Sequence, residues 1–353
     1  MNPFQTDKIY NHLDRVVEWL EGKNPFAVTM ELDPTNICNH KCPGCCGFAV
    51  PNDASLDGYT MRRIVCQAAV LGVRGIIFTG GGEPLCNQDT LGTVHFIRHA
   101  LQIPVGFITN GSLIDGNVAK VLVGSCQWIR VSMDAGSPEQ HRRTHGVDDF
   151  FRVVEGLRLL VDEKDRTNSD VTIGTGYLTG KGTYDLEDMK QFVRESVWAG
   201  ADYAQFRPFL GTDTYAKADL HEFSPVDFSE LETMGNERTR IVNSTHKYKV
   251  INSRPRNEDG EIIRTYDKCY GHQFATAIQA TGDLTICCHT RGLMECSLGN
   301  IHKDPLAVIW NSRRRKEVTE NIDLSKCPLL CRADNFNEIL WQVKQPKHHK
   351  EFL

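Results

Sequence analysis

Residues 27 to 46 read AVTMELDPTNICNHKCPGCC, a short apolar run followed by Cys38, Cys42 and Cys45 at C-x3-C-x2-C spacing. Six residues of this character suit a buried strand better than a helix. Three thiols in the loop behind it suit a soft metal or an iron-sulfur cluster. A cubane carries four irons, so three protein thiolates leave one iron open to another ligand. The other reading of the loop is a zinc knuckle completed by His40 or Cys46.

Outward from this stretch, the chain repeats the same pattern. The apolar runs GIIFTG (75 to 80), VGFIT (105 to 109), WIRVSM (128 to 133), VTIGTGYL (171 to 178) and YAQFRPF (203 to 209) are separated by helix-like segments. Strands that alternate with helices predict an α/β fold with a parallel sheet, here a partial (β/α)6 TIM-like barrel over residues 27 to 210. Chemistry in such barrels sits in the loops after the strands. The first four of those loops hold CNHKCPGCC, GGGEP, NGS and DAGSPE. Ahead of the sheet, Ile9, Leu13, Val16, Val17 and Leu20 recur at helical spacing and stop at Gly22, predicting an amphipathic helix within residues 1 to 26 that packs on the body. Residues 211 to 259 read as a polar, helical connector, 260 to 340 as a small cysteine-rich domain, and 341 to 353 as a solvated tail whose two histidines offer adventitious metal binding.

The 353 residues, 40% hydrophobic and 24% charged, have the composition of an ordinary globular protein. A net charge of -5 and a basic run, Arg313 to Lys316, set among acids argue against nucleic acid as the main partner. The chain has neither a signal-like N-terminus nor a long apolar run, so a cytoplasmic protein with no membrane contact is expected. A disulfide framework is unexpected there, and the thirteen cysteines could not all pair within one chain.

The cysteine loop behind a first strand resembles the cluster loop of the radical S-adenosylmethionine (SAM) superfamily. That resemblance implies a 4Fe-4S cluster on Cys38, Cys42 and Cys45, with SAM at its open iron. The family places an aromatic residue before the third cysteine, where this chain has Gly44. FTGGGEP is similar to the family's motif for the SAM amino group, implicating Gly81, Gly82, Glu83 and Pro84. Glu83 can accept a charge-assisted hydrogen bond from an ammonium, and glycines let backbone approach a ligand closely. Ser132 and Asp134 could bond the ribose or methionyl part of SAM, or serve only as a cap or turn. Asn110 after the third strand is a further SAM contact or a plain turn. Arg207 reaches the SAM carboxylate or an anionic substrate group, or makes a structural salt bridge.

In the C-terminal region Cys269, Gly282 and Cys287 are spaced as cysteine, twelve residues, glycine, four residues, cysteine. This resembles the opening of SPASM and twitch domains, as do Gly299, Asn300, Ile301, Ile309 and Trp310. Six cysteines beyond residue 260 are too few for two auxiliary clusters, so the resemblance implies one auxiliary 4Fe-4S cluster on Cys269, Cys287, Cys327 and Cys331. A structural zinc on the same thiols is the alternative. Cys288 and Cys296 are then ordinary buried thiols or hydrogen-atom donors to a substrate radical, with Cys296 preferred. Cys66, Cys86 and Cys126 are assigned to packing.

The resemblance implies reductive cleavage of SAM, hydrogen-atom abstraction and a reducing partner such as flavodoxin or ferredoxin. The expected substrate is a small polar molecule (sugar, aminocyclitol or nucleoside) that is epimerised or oxidised by two electrons. Peptide modification is the alternative, weakened by the short segment before the first strand; a non-catalytic electron-transfer protein is the alternative of another class.

Overall fold

The computed structural model describes residues 7–45, 50, 53–180, 185–209, 228–258, 262–328, 330–345 and 348–349. Cys46 and part of the connector, residues 210–227, lie outside them, as does part of the expected tail.

Ten strands form one sheet: β1 (Thr29–Leu32), β2 (Gly75–Phe78), β3 (Val105–Thr109), β4 (Trp128–Ser132), β5 (Thr172–Thr179), β6 (Tyr203–Pro208), β7 (Arg240–Asn243), β8 (Ala275–Ile278), β9 (Asp283–Thr285) and β10 (Ser297–Asn300). Their order is β10-β9-β8-β1-β2-β3-β4-β5-β6-β7. From β8 through β7 every neighbouring pair is parallel, while β9 and β10 add antiparallel pairs at one edge.

The six strands expected from the apolar runs are β1 to β6, and the sheet extends beyond them at both edges. β7 corrects the helical reading of the connector, although helices Ser229–Thr233 and Thr245–Ser253 do flank it. Arg240 to Asn243 are too few and too polar to announce a strand; they become one by pairing with β6. β8 belongs to the cysteine-rich region yet lies beside β1, so that region continues the main sheet.

The register assigns the two faces. Met30, Leu32, Phe78, Phe107, Ile129, Ile173 and Phe206 are buried on one face. Glu31, Arg130, Ser132, Gly176 and Arg207 share the other, because side chains alternate along each strand. This second, inner face also carries Ile77 and Trp128, so it mixes polar and apolar side chains.

The N-terminal segment forms a 3-10 turn (Lys8–His12) and a helix (Leu13–Leu20). Of the five residues expected to pack, only Ile9 and Val16 are buried; Leu13, Val17 and Leu20 are exposed. Trp19 provides the anchor instead, its ring 4.9 Å from Tyr270 and 5.9 Å from Phe274. Helix Asp334–Lys344 buries Leu340 and runs into the expected tail. The basic run is also not wholly exposed: Arg315 is buried, 3.8 Å over the Trp310 ring, and donates to Asn24 and Gln273. No helix of the described residues is long and apolar enough to cross a membrane.

Gly282 closes the β8–β9 hairpin at φ +85°, a left-handed conformation that favours glycine. Gly299 lies under the Ile309 side chain, and Trp310 donates to the Pro25 carbonyl at 3.1 Å.

Candidate functional site

Strand β1 delivers the cysteine loop, and backbone bonds hold its path. Gly82 donates to the Thr35 carbonyl at 3.0 Å, Glu83 to Ile37 at 3.0 Å, and Cys45 to Cys42 at 3.2 Å. A Cβ on Gly81 would fall on the Asn36 side chain, and one on Gly82 on the Ile37 carbonyl. These glycines therefore let the β2 loop cross the cysteine loop closely.

Burial pushes the Cys38 thiol up to about 11 and lifts Cys42 further, and each is raised again by its neighbouring cysteines. Gathered thiols of this kind gain from a metal that takes them as thiolates. Three thiolates can each bind a separate iron of a cubane and leave its fourth iron open, so the donor set of the loop fits an iron-sulfur cluster.

His40 Nε2 lies 3.0 Å from Asp149 Oδ2 and 3.2 Å from Ser112 Oγ, and His40, Cys42 and His145 bring donor atoms within 4.8 Å of one another. Asp149 Oδ1 lies 2.8 Å from His141 Nε2. Burial opposes the ionised Asp149, but hydrogen bonds from His141 and His40 hold its carboxyl below the usual range. Burial lowers His40 and takes His145 down to about 3. Lys41 N donates to the His145 carbonyl at 2.8 Å, so the cysteine loop is tied to helix Pro138–His145. The 109 positions between His40 and Asp149 hid this contact from sequence reading.

Glu83 is buried, and its carboxylate accepts from Thr109 Oγ1 (2.7 Å), Asn110 N (2.7 Å) and Leu85 N (3.2 Å). Burial nevertheless raises its pKa to about 7. Pro84 begins the turn that Glu83 caps. The Asn110 side chain donates to Asn39 at 2.8 Å and accepts from Ser112, joining the β3 loop to the cysteine loop. Cys86 is not simple packing: its thiol lies 3.9 Å from Asn39 Oδ1 and within electrostatic reach of Cys38.

Ser132 ends β4, and its backbone bonds the His145 ring. Asp134 adopts φ +46° and accepts from Leu178 N at 2.7 Å through Oδ1, a turn role. Burial raises its carboxyl, and the Arg207 and Arg130 cations oppose that.

Cys269, Cys287, Cys327 and Cys331 converge. Burial pushes Cys331 up to about 12, with Cys269 and Cys327 adding to it. Cys327 is raised to about 11 in the same way, and Cys287 further, by Cys331, Cys269 and Cys327. Four gathered thiols are a donor set that suits an iron-sulfur cluster, and a structural zinc would take the same donors.

Cys288 and Cys296 occupy different surroundings. Cys288 is adjacent to the set and within electrostatic reach of Lys247, toward Arg207. Cys296 lies near Cys327, with Glu295, Arg314 and Lys326 as its charged neighbours. Arg291 holds this region over the sheet: Nε donates to Asp33 Oδ2 at 2.5 Å, Nη2 to Asp33 Oδ1 and Glu31 Oε2 at 2.8 Å, and Nη1 to the Cys288 carbonyl at 2.9 Å.

Residues 32–193 match the model of the radical SAM superfamily, and residues 269–333 match an iron-sulfur cluster-binding domain, SPASM. A probable GTP 3',8-cyclase of Methanothermobacter thermautotrophicus is 28% identical over 266 residues, 73% of this chain and 82% of that protein. One of Methanocaldococcus jannaschii is 24% identical, over 72% and 82%. Among solved structures, SuiB of Streptococcus suis bound to its precursor peptide SuiA superposes with TM-score 0.66 at 18% identity, over 90% of this chain and 72% of that one. Native anSMEcpe with bound AdoMet gives TM-score 0.59 at 18% identity, over 83% and 82%.

Proposed function

We propose that this radical SAM superfamily enzyme, with its C-terminal iron-sulfur cluster-binding domain, removes a hydrogen atom from a small polar substrate bound between its two cysteine sets. One observation carries the reading: the three-cysteine loop and the Glu83 loop follow the neighbouring parallel strands β1 and β2, and Arg291 of the C-terminal region bonds Glu31 of β1 and Asp33 just after it. A 4Fe-4S cluster with SAM, when bound, supplies one-electron cleavage of the carbon-sulfur bond and a 5'-deoxyadenosyl radical that takes hydrogen from substrate.

The chain's own residues do the rest. Cys38, Cys42 and Cys45 hold the first cluster, and Cys269, Cys287, Cys327 and Cys331 the auxiliary one. Glu83, with Gly81, Gly82 and Pro84 shaping its loop, receives the SAM ammonium; Asn110, Ser132 and Asp134 line the neighbouring strand ends. The Arg291 clamp to Asp33 ties the C-terminal region to the end of β1. Two-electron oxidation and epimerisation are both compatible with this layout, and Cys288, within electrostatic reach of Lys247, is taken ahead of Cys296 as the thiol that returns hydrogen. The probable GTP 3',8-cyclases among the relatives favour a nucleoside-type substrate over a peptide. A flavodoxin-like or ferredoxin-like protein supplies the electron.

Anaerobic incubation with SAM and dithionite tests the reading: 5'-deoxyadenosine should form, and its absence from a fully iron-loaded sample would leave an electron carrier. With substrate in heavy water, deuterium at carbon indicates return from a thiol, and loss of two hydrogens indicates oxidation.

A further inference from the structure

Alternation along three neighbouring strands brings Arg130 of β4, Gly176 of β5 and Arg207 of β6 to the inner face. A Cβ at Gly176 would lie 3.1 Å from Arg207 Nη2 and 3.5 Å from Arg130 Cδ. The missing side chain thus gives two arginines room to lie side by side. Among the described residues neither guanidinium has a hydrogen bond or ion pair, and the Nε of each is shut off from solvent without a partner. A buried charge without a counter-charge is costly, and a like charge beside it adds to the cost.

The acids of this face do not relieve them. Glu31 and Asp33 are taken by Arg291, and Glu31 also by Arg332. Asp134 is the carboxylate within reach of both arginines, and one of its oxygens already accepts from Leu178 N. Helix Thr245–Ser253 adds a third cation: Lys247 lies within electrostatic reach of Arg207, Cys331, Asp334 and Cys288. Asp334 is engaged by Arg254 and Tyr266. Burial first and Arg207 second hold Lys247 down to about 8, and burial with Arg207 takes Arg130 to about 9.

We infer that Arg130, Arg207 and Lys247 form a subsite for an anionic group of the substrate, a phosphate or a carboxylate, on the sheet face between the two cysteine sets. It rests on the radical SAM reading of that face. Guanidinium forks match the paired oxygens of either group, and the ammonium adds a point charge from the auxiliary side. The subsite would hold the substrate's anionic end beside β5.

Equilibrium dialysis of the reconstituted, SAM-loaded full chain tests this, with labelled inorganic phosphate, pyrophosphate and succinate as probes. The wild type should bind at least one probe saturably, and Lys247→Gln and Arg207→Gln should each weaken it by about tenfold or more. Preference for phosphate or pyrophosphate identifies a phosphorylated substrate, and preference for succinate a carboxylate. Arg207→Lys, which keeps the charge, should recover part of the affinity; should both Arg207 variants lose their iron, Lys247→Gln carries the test. No binding to the wild type, equal binding by Lys247→Gln, or binding abolished by SAM would overturn the inference, the last because the cations then serve SAM's own carboxylate. Formation of 5'-deoxyadenosine separates the two claims. A chain that forms it and binds no anion loses only this subsite, and one that binds the anion without forming it loses the radical SAM reading.

Discussion

The ring of Phe209, at the end of β6, occupies the space that a side chain at Gly44 would fill: a Cβ there would lie 2.6 Å from Phe209 Cζ. The aromatic residue expected before the third cysteine is thus absent locally, and an aromatic ring arrives from another strand. Gly44→Phe should destabilise the fold by about 1 to 3 kcal/mol through overpacking. In the double variant with Phe209→Ala, chemical denaturation should recover about 1 kcal/mol of the summed losses. Strict additivity would show that the two positions do not share one space.

Two separate cysteine sets predict the iron content. Reconstituted wild type should hold close to eight irons, and the triple variant Cys38→Ala, Cys42→Ala, Cys45→Ala close to four, by cubane stoichiometry. A wild type that saturates near four irons would remove the auxiliary cluster.

Arg291 joins residues 258 positions apart when it bonds Asp33. Arg291→Gln strands the buried Asp33 carboxylate and leaves Glu31 with Arg332 alone, and should cost about 3 to 5 kcal/mol. Thermal melting should fall by several degrees, and limited proteolysis should open the C-terminal region first. An unchanged melting curve would deny the clamp its role.

Asp149 holds His40 of the cysteine loop and His141 of the neighbouring helix at once. Asp149→Ala should leave the sheet intact while iron passes to a chelator about tenfold faster from the first cluster, with the auxiliary cluster unchanged. Equal release from both clusters would point to general unfolding.

Burial raises Glu83 to about 7, above the usual carboxylate range. Between the unfolded value, about 4.5, and 7 the folded state binds the extra proton, so Glu83 costs stability as pH rises through that window. The full penalty is on the order of 3 kcal/mol above pH 7. Denaturation of SAM-free wild type against Glu83→Gln should show their stability difference shifting against wild type from pH 5 to 7; a flat difference would mean that Thr109 and Asn110 fully offset the burial.

The cysteine spacing, the six apolar runs and the glycine-rich loop were legible in the sequence because each is local: ligand sets, strand patterning and tight turns lie within a few residues. Cys38, Cys42, Cys45 and Glu83 could be singled out in that way. The strand β7, with no pattern of its own, needed the β6 edge. Tertiary structure alone decided that Asp149 meets His40, that Phe209 fills the place at Gly44, and that Arg207 lies within reach of both Arg130 and Lys247. These contacts join residues far apart in the chain, and their energies depend on burial and on which charges come to face one another. Neither quantity exists until the strands have taken their order and register.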